Sequence, residues 1–137
     1  MKLRFLFLFI LLNLSFSYAE PMQNGTEPEK VSLPITQPQN VSFENCTKMF
    51  AINKEKLFYL TLSSITANRF SIDEIQTQNG YIIFSAANNK YLATIANIDG
   101  ANSILKITPC NNIYVFPPGI VLSMFKYIDL NLNTEIK

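Results

Sequence analysis

The chain has 137 residues, with 11 basic and 10 acidic side chains, two cysteines, four glycines and no histidine. Lacking histidine, it lacks the side chain most used for proton transfer near neutral pH, so Ser-His-Asp and Cys-His nucleophile systems have no base. Two cysteines are too few for a structural zinc site, the glycines are too scattered to cradle a phosphate, and no basic cluster exists to displace counterions from nucleic acid. No enzymatic activity, cofactor, metal or nucleic-acid partner is therefore expected.

Lys2 and Arg4 open the chain, and residues 5–14 are apolar apart from Asn13. Ser17-Tyr18-Ala19 then offers the small-x-small pattern at which a signal peptidase cuts, before Glu20. Residues 1–19 are thus expected to be a signal peptide, and the product to be exported to a periplasm or the extracellular space. The apolar run is shorter than the roughly 20 residues a spanning helix requires. The other apolar stretch, residues 113–132, is interrupted by Pro117, Pro118, Lys126 and Asp129, so no membrane span is expected after cleavage. Losing Lys2 and Arg4 leaves nine basic against ten acidic residues, too even a balance for binding anionic membrane by charge alone.

Residues 20–44 carry Pro21, Pro28, Pro34 and Pro38 among Gln, Asn, Ser, Thr and Glu. Proline at this density removes backbone donors and fixes φ, and the sparse apolar residues do not offset the entropy of ordering. A disordered tether is expected. Asn24, Asn40 and Asn45 begin N-x-Ser/Thr sequons in or beside it. In a chain so rich in asparagine, several such triplets arise by chance, and they are not taken as glycosylation sites.

A single folded domain is expected over residues 45–133, followed by a tail at 134–137. Asn53 can cap a helix over residues 54–69, with Leu57, Phe58, Leu62 and Ile65 near helical spacing. Residues 47–52 are read as an added turn of that helix. A strand over 70–78 leads to Asn79-Gly80, a two-residue hairpin signal that sets Gln78 opposite Tyr81 and Ile75 opposite Phe84. Asn88-Asn89 is expected to form the next tight turn, placing Phe84 opposite Ala93 and Ile82 opposite Ile95. A three-residue loop at Asp99-Gly100-Ala101 sets Ile95 opposite Leu105 and Ala93 opposite Ile107.

With these registers one face collects Ile75, Ile82, Phe84, Ala86, Tyr91, Ala93, Ile95, Leu105 and Ile107. The other is mixed, with Gln76, Gln78, Ser85, Thr94, Lys106 and Thr108 beside Ile83, Leu92 and Ile104. Pro118 suits a helix start, and Val121, Met124, Phe125, Ile128 and Leu132 form the stripe of a second helix. The expected fold is α+β: a two-layer sandwich with a four-stranded antiparallel meander and two helices on one face, in the order α-β-β-β-β-α.

Few residues suggest chemistry. Asp73 and Glu74 are adjacent on a strand and should point to opposite faces; Asp99 reads as a turn residue and Asp129 as a solvated helix position. Cys46 and Cys110 are a candidate disulfide, which export would permit. The meander carries Cys110 away from the start of the first helix, however, so a bridge would require residues 46–52 to run back along the domain; two unpaired or intermolecular thiols are the alternative. Tyr114, Phe116 and Pro117-Pro118-Gly119 are read as core edge and helix entry, with an exposed ledge as the alternative. Tyr81, Ile83, Leu92 and Ile104 form a candidate interaction face. The expectation is a non-catalytic domain that binds protein or itself through that face or an edge strand. A carrier of a small apolar ligand between helices and sheet is the alternative, and a carboxylate-based hydrolase the remote one.

Overall fold

The computed structural model describes residues 37–136. The expected signal peptide, residues 20–36 of the expected tether and the Asn24 sequon lie outside them. The described chain runs as β1 (Gln39–Asn40), a 3-10 turn (Phe43–Cys46), β2 (Thr47–Phe50), α1 (Lys54–Ala67), β3 (Ser71–Gln76), β4 (Tyr81–Ala86), β5 (Asn89–Asn97), β6 (Ser103–Pro109), β7 (Val115–Phe116) and α2 (Gly119–Asn131). The fold is α+β. Its main sheet is antiparallel with five strands in the order β2-β6-β5-β4-β3, and β1 pairs with β7 in a separate two-stranded ribbon.

Asn53 caps α1 as its sequence suggests, its side chain accepting the Lys56 N–H at 2.8 Å. The buried stripe is Leu57, Phe58, Leu60, Thr61, Ser64 and Ile65; Leu62 only packs partly against the core. Thr61 and Ser64 lie in an apolar interface because each hydroxyl donates to a carbonyl one turn back, Leu57 O and Thr61 O, at 2.7 Å. The helix ends in a Schellman arrangement: Phe70 N donates to Ile65 O and Arg69 N to Thr66 O. Arg69 takes the left-handed position, φ 60°, that glycine usually fills.

Strands β3 to β6 form the expected meander. The register at the 98–102 loop is as read from the sequence, with Ile95 opposite Leu105 and Ala93 opposite Ile107. Asp99 organises this loop, its carboxylate accepting the Ala101 and Asn102 backbone N–H groups at 2.8 Å. These bonds hold its pKa below the usual carboxylate range, the Asn102 side chain contributing most.

The other two turns are corrected. The β3–β4 turn takes four residues, 77–80, not the two of Asn79-Gly80, so Gln76 faces Tyr81 and Ile75 faces Ile82. The β4–β5 turn is Ala87-Asn88, both at positive φ, so Ala86 faces Asn89 and Phe84 faces Tyr91. Each pairing differs from expectation by two residues, and because strand side chains alternate with period two, the faces are unchanged. Ile82, Phe84, Ala86, Tyr91, Ala93, Ile95, Leu105 and Ile107 are all buried on one face, as expected. Ile75 shares that face but is 46% exposed, because β3 is the outermost strand.

Residues 47–50 are likewise corrected. They form β2, an edge strand antiparallel to β6, with Lys48 opposite Leu105 and Phe50 opposite Ser103. Phe50 points inward, 3% exposed, and its ring meets Phe125 of α2 edge to face. The tether also ends earlier than residue 44, since Gln39–Asn40 pair with Val115–Phe116 and Val41 N donates to Tyr114 O.

Helix α2 begins just after Pro118 and buries Ile120, Val121, Met124, Phe125 and Ile128, while Leu132 packs partly. The core carries an aromatic run: Phe70 stacks on Phe84, Phe84 on Tyr91, and Tyr91 meets Phe116 edge to face. Tyr91 is fully buried and its hydroxyl has no hydrogen-bond partner. Burial pushes its pKa up, against a weaker opposing pull from the neighbouring Asn89 side chain. An unsatisfied buried hydroxyl costs about 1–3 kcal/mol. Tyr91→Phe should therefore raise stability by about 1 kcal/mol, read from the urea midpoint; a loss of stability would show that the hydroxyl is satisfied in solution.

Candidate functional site

The sheet has one covered face and one open one. Along β4, β5 and β6 the inward residues Ile82, Phe84, Ala86, Tyr91, Ala93, Ile95, Ser103, Leu105 and Ile107 are buried, whereas none of Tyr81, Ile83, Ser85, Leu92, Thr94, Ile104, Lys106 or Thr108 is. The pairings arrange the open face in rows. One runs Glu74–Ile83–Leu92–Thr108, the next Gln76–Tyr81–Thr94–Lys106–Thr47, and a third Ala96–Ile104–Met49. Rows on one face lie about 7 Å apart along the strands.

This places the four candidate residues. Ile83 and Leu92 are direct cross-strand partners and Tyr81 lies one row on, next to Thr94. Ile104 is separated from Leu92 by the Thr94–Lys106 row and instead neighbours Met49 of β2. Met49 is 59% exposed. It escapes a reading of the sequence that makes residues 47–52 helical; Thr47, Lys48, Met49 and Phe50 run polar-polar-apolar-apolar, so no alternation marks the strand and only its long-range pairing with β6 defines it.

At the β3 edge the register slips between Ile72 and Glu74, leaving Asp73 as the extra residue of a β-bulge. The slip corrects the expectation that Asp73 and Glu74 point to opposite faces. Asp73 accepts from Ser85 Oγ at 2.5 Å, and Glu74 accepts from Tyr81 Oη at 2.9 Å and Gln76 Nε2 at 3.1 Å, so both carboxylates sit on the open face. The bond to Glu74 favours the neutral phenol and raises the Tyr81 pKa. Among the other acids, Asp129 pairs with Lys48 on the surface.

At the opposite side, Lys106 Nζ lies 4.2 Å from the ring centroid of Phe43, a cation–π contact. The Phe43 ring in turn meets Tyr114 edge to face at 5.9 Å. Tyr114 packs partly against the core and Phe116 is buried in it, so these residues line the core edge. The sequon residues Asn40, in β1, and Asn45, in the 3-10 turn, are exposed.

Cys46 and Cys110 are both free, in line with the unpaired-thiol reading, and the candidate bridge is not formed. Residues 47–50 do run back along the domain, yet the register puts Thr47 opposite Lys106, three positions short of aligning Cys46 with Cys110. At about 3.3 Å per residue this gap exceeds the roughly 7 Å that a bridge spans between Cα atoms. Cys46 is also fully buried while Cys110 is exposed, its N–H bonded to Lys90 O. Burial raises both thiol pKa values, opposed by Lys106 at Cys46 and by Lys90 at Cys110.

Among the described residues, no helix is long and apolar enough to cross a membrane. The chain matches no protein-family model and no curated protein.

Proposed function

We propose that this protein is an exported, non-catalytic interaction domain that binds a protein partner through the open face of its sheet. The observation that carries the proposal is the Ile83–Leu92 pair with Tyr81 beside it, apolar side chains on a face that neither helix covers. Export is supported by Lys2, Arg4, the apolar run and Ser17-Tyr18-Ala19. The face is favoured over the edges. β3 is blunted by its bulge and two carboxylates, and β2 is four residues long.

The apolar-ligand reading has less support, because Ile82, Phe84, Leu105, Ile107, Met124 and Ile128 are fully buried and fill the space between sheet and helices. The hydrolase reading is weakened in the same way, since Asp73 and Glu74 are engaged by Ser85, Tyr81 and Gln76.

Ile83→Lys tests the proposal. Ile83 is not buried, so the variant should fold, with circular dichroism unchanged and stability within about 1 kcal/mol. In-cell cross-linking of the tagged protein should then lose the adducts that the native chain forms. Undiminished adducts from a folded Ile83→Lys chain would defeat the open-face reading.

A further inference from the structure

We infer that Asn40 and Asn45 are acceptors for N-linked oligosaccharide, added as the chain is exported. The inference rests on the export reading above and adds a covalent modification of the exported chain.

The first observation is where the sequons fall. Ser and Thr together make up 19 of the 137 residues, so about one asparagine in seven begins a sequon by chance. Chance would scatter such triplets wherever asparagine occurs. Here they are segregated. All four asparagines before residue 46 begin one: Asn13 within the expected signal peptide, then Asn24, Asn40 and Asn45. None of the eleven from Asn53 to Asn133 does. The break falls where the main sheet begins, at Thr47.

The second observation is structural. Asn40 stands on the β1–β7 ribbon and Asn45 in the 3-10 turn, both exposed, so a bulky sugar on either stays outside the domain. Within the domain, by contrast, asparagine side chains are used by the fold. The Nδ2 groups of Asn68 and Asn131 donate to the Ser64 and Tyr127 carbonyls, and that of Asn102 to Asp99. A sugar on those nitrogens would disturb the bonds that close two helix ends and a turn.

The two acceptors also share a neighbourhood. Asn40 lies directly opposite Val115, which is exposed, so the two side chains stand on the same side of the ribbon. Asn40 and Asn45 border one cleft with Pro118 and the exposed Leu122 at the start of α2. Sugars on both would cover this apolar surface.

The donor is a lipid-linked oligosaccharyl diphosphate of the secretory membrane. The asparagine Nδ2 bonds to C1 of the first sugar as the C1–O bond to diphosphate breaks. The diphosphate leaves with that electron pair and the amide loses one proton, with nothing oxidised or reduced.

The test isolates the native chain by antibody from the cells that make it and treats it with peptide N-glycosidase in heavy-oxygen water. Residues 40 and 45 should become aspartate carrying heavy oxygen, and the chain should fall in mass. Tagged Ser42→Ala should lose the label at position 40 and Thr47→Ala at position 45, each with loss of one mass step. Ser42→Thr and Thr47→Ser should keep both labels. An unlabelled residue at either position of the native chain, aspartate with ordinary oxygen included, overturns the inference there. If that unlabelled chain begins at Glu20, export stands and the modification alone falls; if it still begins at Met1, both fall.

Discussion

Phe84→Ala is expected to lower stability by about 4 kcal/mol, within the usual range for removing a buried phenylalanine. Phe84 has no exposed surface and its ring is stacked between Phe70 and Tyr91, at centroid distances of 5.9 and 5.5 Å. Truncation removes the middle of that run and opens a cavity that the two flanking rings, held on a strand and at a helix end, fill only in part. A domain of this size has a total stability of roughly 5–15 kcal/mol, so the variant should unfold at a much lower urea midpoint with an unchanged slope. Ile83→Ala is the control. It sits one residue away but on the open face, and should shift stability by no more than about 1 kcal/mol. Equal losses for the two would mean that the sheet faces are wrongly assigned.

Gly80→Ala should cost roughly 2–4 kcal/mol, from a left-handed backbone and a backbone clash acting together. Gly80 has φ +68°, and a Cβ there would lie 2.7 Å from the carbonyl oxygen of Ile95. The Lys54 side chain, 2.8 Å away at Cε, can swing aside. The Ile95 oxygen is fixed in the ladder, and Ile95 N already donates to Gly80 O at 2.7 Å. The β3–β4 turn is thus pinned onto β5, and a methyl group forces them apart. Gly100→Ala, where nothing lies within 4 Å, should change thermal stability little. A Gly80→Ala protein as stable as the Gly100→Ala one would show that the turn moves freely.

The sequence reading located α1, the four meander strands and α2, because each carries a local pattern: a capping Asn53, alternation along β4 to β6, and a helical stripe from Val121 to Ile128. It mistook two registers by two residues. Asn-Gly announces a turn without fixing whether the loop holds two residues or four, Asn-Asn does not fix which two residues turn, and a register slip of two leaves the buried set intact. What it missed was non-local. The β2 pairing with β6 spans more than fifty residues, and four residues without polar-apolar alternation beside a helix cap read as a helical turn. The bulge at Asp73 has no local signature either, so two neighbouring carboxylates that end on one face were assigned to two. The candidate face was therefore legible at Tyr81, Ile83 and Leu92, whose strands are adjacent in sequence. It was incomplete at Ile104, whose neighbour Met49 arrives from the far end of the domain.

With Asp73 and Glu74 crowding the margin of β3, separate molecules have no flat flank there on which to add strand to strand, and growth into fibres from that edge is disfavoured.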